Sequence, residues 1–291
     1  MTLVYYVNLA MNGLLQGLVI ALVALAINLV FAVGRFPNAA TGDYITVGGY
    51  AGIGLQALGV GSPVLQGLGA MLASMAVAIA GYLLVFRRLF GRSMVAALIA
   101  SIGIAFFVRS VLSFFVGHDP YVFKIPITRA IVVGGVRLIP TDLWLGAAAL
   151  VCLSIALALL FFTPLGHQMR AVADNPELAR ASGIRARRVM LTLWVLVGAV
   201  CGVAGIVLGI RTVVAPEMGW DVLLPGFAAA ILGGVGSPAG AVLAGVVLGI
   251  AQEISTPFVG FTYKIALSFV VLMVVLVVRP QGLFGTLERV R

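Results

Sequence analysis

The chain has 291 residues, of which 62% are hydrophobic and 9% charged, and it carries a formal net charge of +9. A soluble domain is about 45–50% apolar and about 25% charged, so a water-soluble fold is excluded. The excess of Lys and Arg does not point to nucleic acid, because these residues sit at the ends of apolar runs and not on a polar arm interleaved with aromatic side chains.

Met1 to Gly34 contains no Lys, Arg, Asp or Glu. The basic flank of a cleavable signal peptide is therefore missing, and the first apolar run is expected to be a retained span. Within it, Leu14 to Val33 is interrupted only by Gln16 and Asn28. A helix of that length reaches about 30 Å, the thickness of a bilayer core. After Asp43 the chain is charge-free from Tyr44 to Phe86, with Gly61-Ser62-Pro63 in the middle, which predicts two segments over about 43–60 and 64–86.

Arg87, Arg88 and Arg92 form a basic hinge, and Ser93 to Gly117 is the next span, carrying Arg109. His118 to Asp142 reads as a loop with three prolines. Leu143 to Thr163 spans again, Pro164 to Arg188 is a polar connection, and Val189 to Ile210 is a further span. Val222 to Gln252 is too long for one straight span and is interrupted by Gly233-Gly234-Val235-Gly236-Ser237-Pro238, so two segments are expected, about 221–234 and 239–256. The last run, about 261–278, ends at Arg279-Pro280.

The expected fold is thus all-α: one polytopic transmembrane helix bundle over residues 1–291, with eight or nine membrane segments including broken or re-entrant pieces. Cytoplasmic loops are enriched in Lys and Arg. Arg87, Arg88, Arg92, then Arg170, Arg180, Arg185, Arg187, Arg188, and finally Arg279, Arg289, Arg291 are accordingly assigned to the cytoplasm, with the N-terminus on the periplasmic side and the C-terminus cytoplasmic.

Gly198, Gly202, Gly205 and Gly209 fall on one helical face, and Gly236, Gly240, Gly245 and Gly249 form a second series. Both favour close helix packing, within the chain or against a partner. Cys152 and Cys201 lie in apolar segments and are read as buried small side chains, with no metal site expected. Among membrane-level charges, Asp43 and Glu253 lie near segment ends within reach of the interface. Arg109 is deeper but within snorkelling distance, and a pairing of Arg109 with Glu253 is conceivable. Asn12, Gln16, Asn28, Thr41, Ser101 and Ser113 are read first as hydrogen-bonding partners between helices, and second as lining for a polar path.

The connection from Pro164 to Arg188 is the least ordinary part of the chain. Asn175 followed by Pro176 and Glu177 is a helix start, and Gly183 supplies the stop, so a helix of about seven or eight residues is predicted. A helix so short is not stable alone. It should dock on the ends of its own spans or on a soluble cytoplasmic partner.

Here the residues carry a resemblance. Gly166-His167-Gln168-Met169-Arg170-Ala171, then Asp174-Asn175-Pro176, Ala179 and Gly183-Ile184, are similar to the loop by which branched-chain amino acid ABC permeases of the LivH type dock on their ATPase. Pro216 with Gly219, Phe227-Ala228-Ala229 with Ile231-Leu232-Gly233-Gly234 and Gly236-Ser237, Gly240-Ala241, and Arg279-Pro280-Gln281-Gly282-Leu283-Phe284-Gly285 follow in the family's order, so the likeness extends over nearly the whole chain. One departure is Thr41 in Asn38-Ala39-Ala40-Thr41-Gly42, where the family often has His. It leaves the exact substrate open, with urea and short amides among the alternatives to leucine, isoleucine and valine.

The resemblance implies an importer in which this chain pairs with a second homologous permease, expected as a heterodimer. Two cytoplasmic ATPase subunits bind below and a periplasmic binding protein delivers solute above, in a bacterial inner membrane. Gly166, Met169, Arg170, Ala171, Asp174, Asn175, Pro176, Glu177, Ala179, Gly183 and Ile184 would form the docking surface, and Asn38, Thr41, Asp43, Arg109 and Glu253 are candidates for the substrate path. Neither of the two lysines, Lys124 and Lys264, lies in a phosphate-binding loop. No cofactor is therefore expected in this chain, and ATP with its Mg belongs to the ATPase. A competing reading is a secondary transporter driven by an ion gradient, which would also use broken helices. An intramembrane enzyme is disfavoured because His118 and His167 fall on opposite sides of the membrane by the charge rule.

Overall fold

An uncharged run in a bilayer satisfies its backbone polar groups only as a helix or a closed barrel, and this chain takes the first course. The computed structural model describes residues 2–89, 93–126, 128–260, 263–279 and 282–284. In chain order the helices are α1 (Thr2–Gly34), α2 (Thr41–Ala57), α3 (Pro63–Gly81), α4 (Arg87–Leu89) and α5 (Met94–Val116). Then come the strands β1 (Ile131–Val133) and β2 (Val136–Leu138), followed by α6 (Pro140–Phe162), α7 (Pro164–Asp174), α8 (Pro176–Ala181) and α9 (Ala186–Arg211). The chain closes with α10 (Met218–Gly233), α11 (Pro238–Val259) and α12 (Lys264–Val278). A π-helical turn, Tyr82–Phe86, joins α3 to α4.

Each predicted membrane segment corresponds to a helix. Among the described residues, six are long and apolar enough to cross a bilayer, whereas α2, α10 and α12 have 17, 16 and 15 residues. α1 begins at Thr2 and not at Leu14, because polar Asn8 and Asn12 are compatible with a helix that projects beyond the apolar core. Asn8 also accepts a hydrogen bond from the Arg137 backbone N–H of the hairpin at 2.9 Å. The expected loop from His118 to Asp142 contains this short antiparallel hairpin, Val133 facing Val136 across its turn. Arg92, Arg289, Arg291, Pro280, Gln281 and Gly285 lie outside the described residues.

α1 and α9 form the axis of the bundle: 83% and 78% of their apolar windows are buried, against 17–33% for α3, α5, α6 and α11. Glycine makes this packing close. A Cβ on Gly198 or Gly202 would lie 2.5 Å from the Cα of Met75 or Met71 on α3, and one on Gly245 would lie 2.6 Å from the Cα of Ala21 on α1. Both glycine series are therefore used inside the chain, apart from Gly236, whose added Cβ would meet nothing within 4 Å.

α11 starts after the turn at Gly234 to Ser237, where Gly234 and Gly236 have positive φ and the Ser237 hydroxyl accepts from the Gly240 N–H at 3.2 Å. Past α12, the Leu283 N–H donates to the Leu232 carbonyl at 2.8 Å, closing off the end of α10. Arg35, just past α1, donates to the carbonyls of Ala173 and Asp174 at the end of α7. This places the 164–188 connection at one end of the bundle and the hairpin, which holds Asn8, at the other.

Candidate functional site

Two regions gather the residues singled out in the sequence. The first is the connection between α6 and α9. Pro164 occupies the first position of α7, and Arg170 donates to the Leu160 carbonyl at 3.0 Å, satisfying an open carbonyl at the end of α6. Gly166, Met169 and Val172 are buried along one side of α7. The Asn175 side-chain oxygen then accepts from the N–H groups of Glu177 and Leu178, both at 3.0 Å, and opens α8. Gly183, at φ +81°, ends it in the left-handed region, and the Ile184 N–H returns to the Ala179 carbonyl at 3.0 Å.

The sequence reading expected a single short helix here. Two are present, because Thr163-Pro164 is a second start signal of the kind recognised at Asn175-Pro176. The predicted docking residues divide accordingly. Gly166, Met169 and Ala179 are buried and hold the connection to its own bundle; Ala171, Pro176 and Ile184 are half-buried; Arg170, Asp174, Asn175, Glu177 and Gly183 face outward. Leu178 joins the outward set with 65% exposure, a large apolar side chain between the exposed Glu177 and Arg180. Beneath the connection lies a cavity of about 1320 Å³, bounded by Phe36, Phe86 and Met94 toward the bundle and by Asp174, Glu177 and Arg185 toward the connection.

The second region is a buried polar junction where α2, α5 and α10 meet. Asn38, Thr41, Asp43, Thr46 and Ser101 are all fully buried. Asn38 accepts from the Ala40 N–H at 3.2 Å through its side-chain oxygen, the Thr41 hydroxyl donates to the Asn38 carbonyl at 2.9 Å, and Ser101 accepts from the Ala39 N–H at 3.1 Å. The Asp43 carboxylate accepts from Arg109 Nε and from Trp220 Nε1, each at 3.2 Å. The Arg109 guanidinium lies 4.7 Å from the centre of the Trp220 ring and 5.6 Å from that of Phe106. Thr46 accepts from the Gly219 N–H at 3.2 Å and ties the start of α10 to α2.

The family-model description that matches residues 9–278 is "Branched-chain amino acid transport system / permease component". The chain belongs to this family. The chain is 28% identical to the high-affinity branched-chain amino acid transport system permease protein LivH of Salmonella typhimurium, over 98% of this chain and 97% of that protein. It is 28% identical to the corresponding protein BraD of Pseudomonas aeruginosa over the same shares. A third relative, LivM of Escherichia coli, is 32% identical over 51% of this chain and 36% of its own length.

Within this permease, four of the five substrate-path candidates come together at the junction, and Glu253 does not. Glu253 pairs with Lys264 at 2.9 Å, and Arg109 with Asp43, so the Arg109–Glu253 pairing is corrected. The reading of Asp43 as an interfacial side chain is corrected as well. Its helix starts inside the bundle, and the carboxylate is sealed among α2, α5 and α10. Asn28, by contrast, bonds between helices as expected, donating to the Gly234 carbonyl at 2.9 Å. Sequence reasoning missed Trp220, Thr46 and Arg35. Arg35 is marked only by its backbone, the one non-glycine residue at positive φ among those described (+59°). No local pattern reveals the other two, whose partners are 173 and 177 positions distant.

Proposed function

We propose that the chain is the membrane-spanning permease subunit of an ATP-driven importer of branched-chain amino acids, and that the outward side of the α7–α8 connection is where an ATPase subunit grips it. The observation that carries this reading is α8: a six-residue helix with its own cap and its own glycine stop, with Leu178 exposed on its outer side and the exposed Glu177 at the edge of the cavity. A helix that short contributes little to the bundle, and a simple connector would need only a few residues.

The surrounding arginines support the orientation. Arg35, Arg87, Arg88, Arg170, Arg180, Arg185, Arg187, Arg188 and Arg279 belong to the loops and helix ends on the side of that connection, which the positive-inside rule assigns to the cytoplasm. The N-terminus is then periplasmic. ATP is hydrolysed by separate subunits, and nucleotide-driven closure of that pair would move α8 and, through Arg35 and Arg170, the ends of α1 and α6. A second permease completes the membrane path, and a periplasmic binding protein supplies the solute.

The test is reconstitution of the chain with its second permease, ATPase and binding protein, followed by leucine uptake. Glu177→Arg is expected to lower ATP-dependent uptake at least about tenfold and to reduce ATPase co-purification, with the fold unchanged. Full uptake by that variant with undiminished ATPase association, or uptake by the permeases alone under an ion gradient, would overturn the reading.

A further inference from the structure

Carboxylates inside a membrane are costly unless they meet a cation or water. In this chain the acidic side chains of the membrane helices are almost all matched: Asp43 with Arg109 at 3.2 Å, Asp142 with Arg211 at 3.6 Å and Glu253 with Lys264 at 2.9 Å. Asp221 is the exception inside these helices among the described residues. It lies in the first turn of α10, exposed, with neither a hydrogen bond nor a cation. The exposed Glu217 at the N-cap of α10 is a second carboxylate beside it with no side-chain hydrogen bond or ion pair, which adds to the negative charge there.

The depth of Asp221 makes this consequential. Gly219 packs directly on Gly42, whose added Cβ would lie 2.9 Å from the Gly219 carbonyl oxygen, and the neighbouring Asp43 binds Arg109. Arg109 is about 22 Å along α5 from Met94 and about 10 Å from Val116, so the start of α10 sits beside the interior of α5 and not at its end. The first-turn position eases the charge through the helix dipole but does not hydrate it.

Other outward faces are of a different kind. Leu68 and Leu72 of α3, Val151 and Ile155 of α6, and Val274 and Val277 of α12 offer only hydrocarbon to their surroundings. The α10 face instead carries Asp221, then Leu224 at 44% exposure, beside Trp220 and the Arg109 guanidinium.

We propose that this α10 face is the water-lined wall of the solute path, and that Asp221 receives the ammonium group of a zwitterionic amino acid as it passes. The inference rests on the importer reading above, with the second permease as the opposite wall. Arg109 is already neutralised by Asp43, so the free charge on this face is negative, which selects the cationic end of the solute. Leu224, one turn further along, offers apolar contact to an aliphatic side chain.

The experiment uses the complete transporter in liposomes, with cysteine placed singly by Asp221→Cys, Leu224→Cys or Val277→Cys and the wild-type chain as the blank for Cys152 and Cys201. A small membrane-impermeant methanethiosulfonate bearing a quaternary ammonium is the probe. Labelling at positions 221 and 224 is expected to exceed that at 277 at least about tenfold, and Asp221→Asn to lower leucine uptake at least about tenfold while ATPase subunits still co-purify. Asp221→Glu should retain uptake to within about threefold. Labelling at 221 no faster than at 277, or uptake by Asp221→Asn within about twofold of wild type, overturns the assignment. Labelling needs no turnover, so a wild-type complex without ATP-dependent uptake would sink the importer reading separately.

Discussion

The α7–α8 connection and the α2–α5–α10 junction are built in opposite ways. The connection is written locally: each of its helices has a proline at its first position, and one also has an asparagine cap and a glycine stop, all within twenty-five residues. The junction is assembled from segments far apart, and its bonds join residue 43 to residues 109 and 220. A local device can change its outward residues without disturbing the bundle, whereas a buried charge pair cannot lose one member without cost. That contrast fits a surface meant to meet a partner and a core meant to hold helix positions.

The comparison can be broken most readily at Asp43. Replacing it with Ala strands Arg109, and the expected loss is about 3–5 kcal/mol of stability, read as a large drop in the melting temperature of the solubilised protein. Combining Asp43→Ala with Arg109→Met should recover most of that loss. Recovery would show that the cost comes from an uncompensated charge and not from altered packing.

Gly219→Val tests the same junction through shape, since a side chain there collides with the Gly42 carbonyl. Overpacking of this kind costs about 1–3 kcal/mol, and the same melting experiment should register it. In the connection the effects shrink. Asn175→Ala removes a cap worth about 1 kcal/mol to α8, and faster amide exchange confined to residues 176–184 would report it. Glu177→Arg should move the melting point least, by the equivalent of about 0.5 kcal/mol or less, although uptake falls. Should Glu177→Arg destabilise the protein as strongly as Asp43→Ala, the division between an outward surface and a structural core would be wrong.

Much of the molecule is legible in its sequence. The nine segments follow from charge-free runs and their interruptions, because hydrocarbon excludes unpaired backbone groups wherever the chain crosses it. The cap at Asn175, the stop at Gly183 and the break at Gly234 to Ser237 follow from backbone preferences that act over a few residues. What the sequence concealed was pairing. Arg109 could be weighed against Glu253 because both are membrane-level charges, yet only the packing of α5 against α2 decides that Asp43 is its neighbour, just as the glycine contact of α10 with α2 brings Trp220 to the same carboxylate. Asp221 became conspicuous for the same reason: whether a carboxylate is matched or alone depends on every other helix around it. Local chemistry determined where helices start and stop, and tertiary packing alone decided which charges meet, since an ion pair needs two side chains within a few ångströms whatever their distance along the chain.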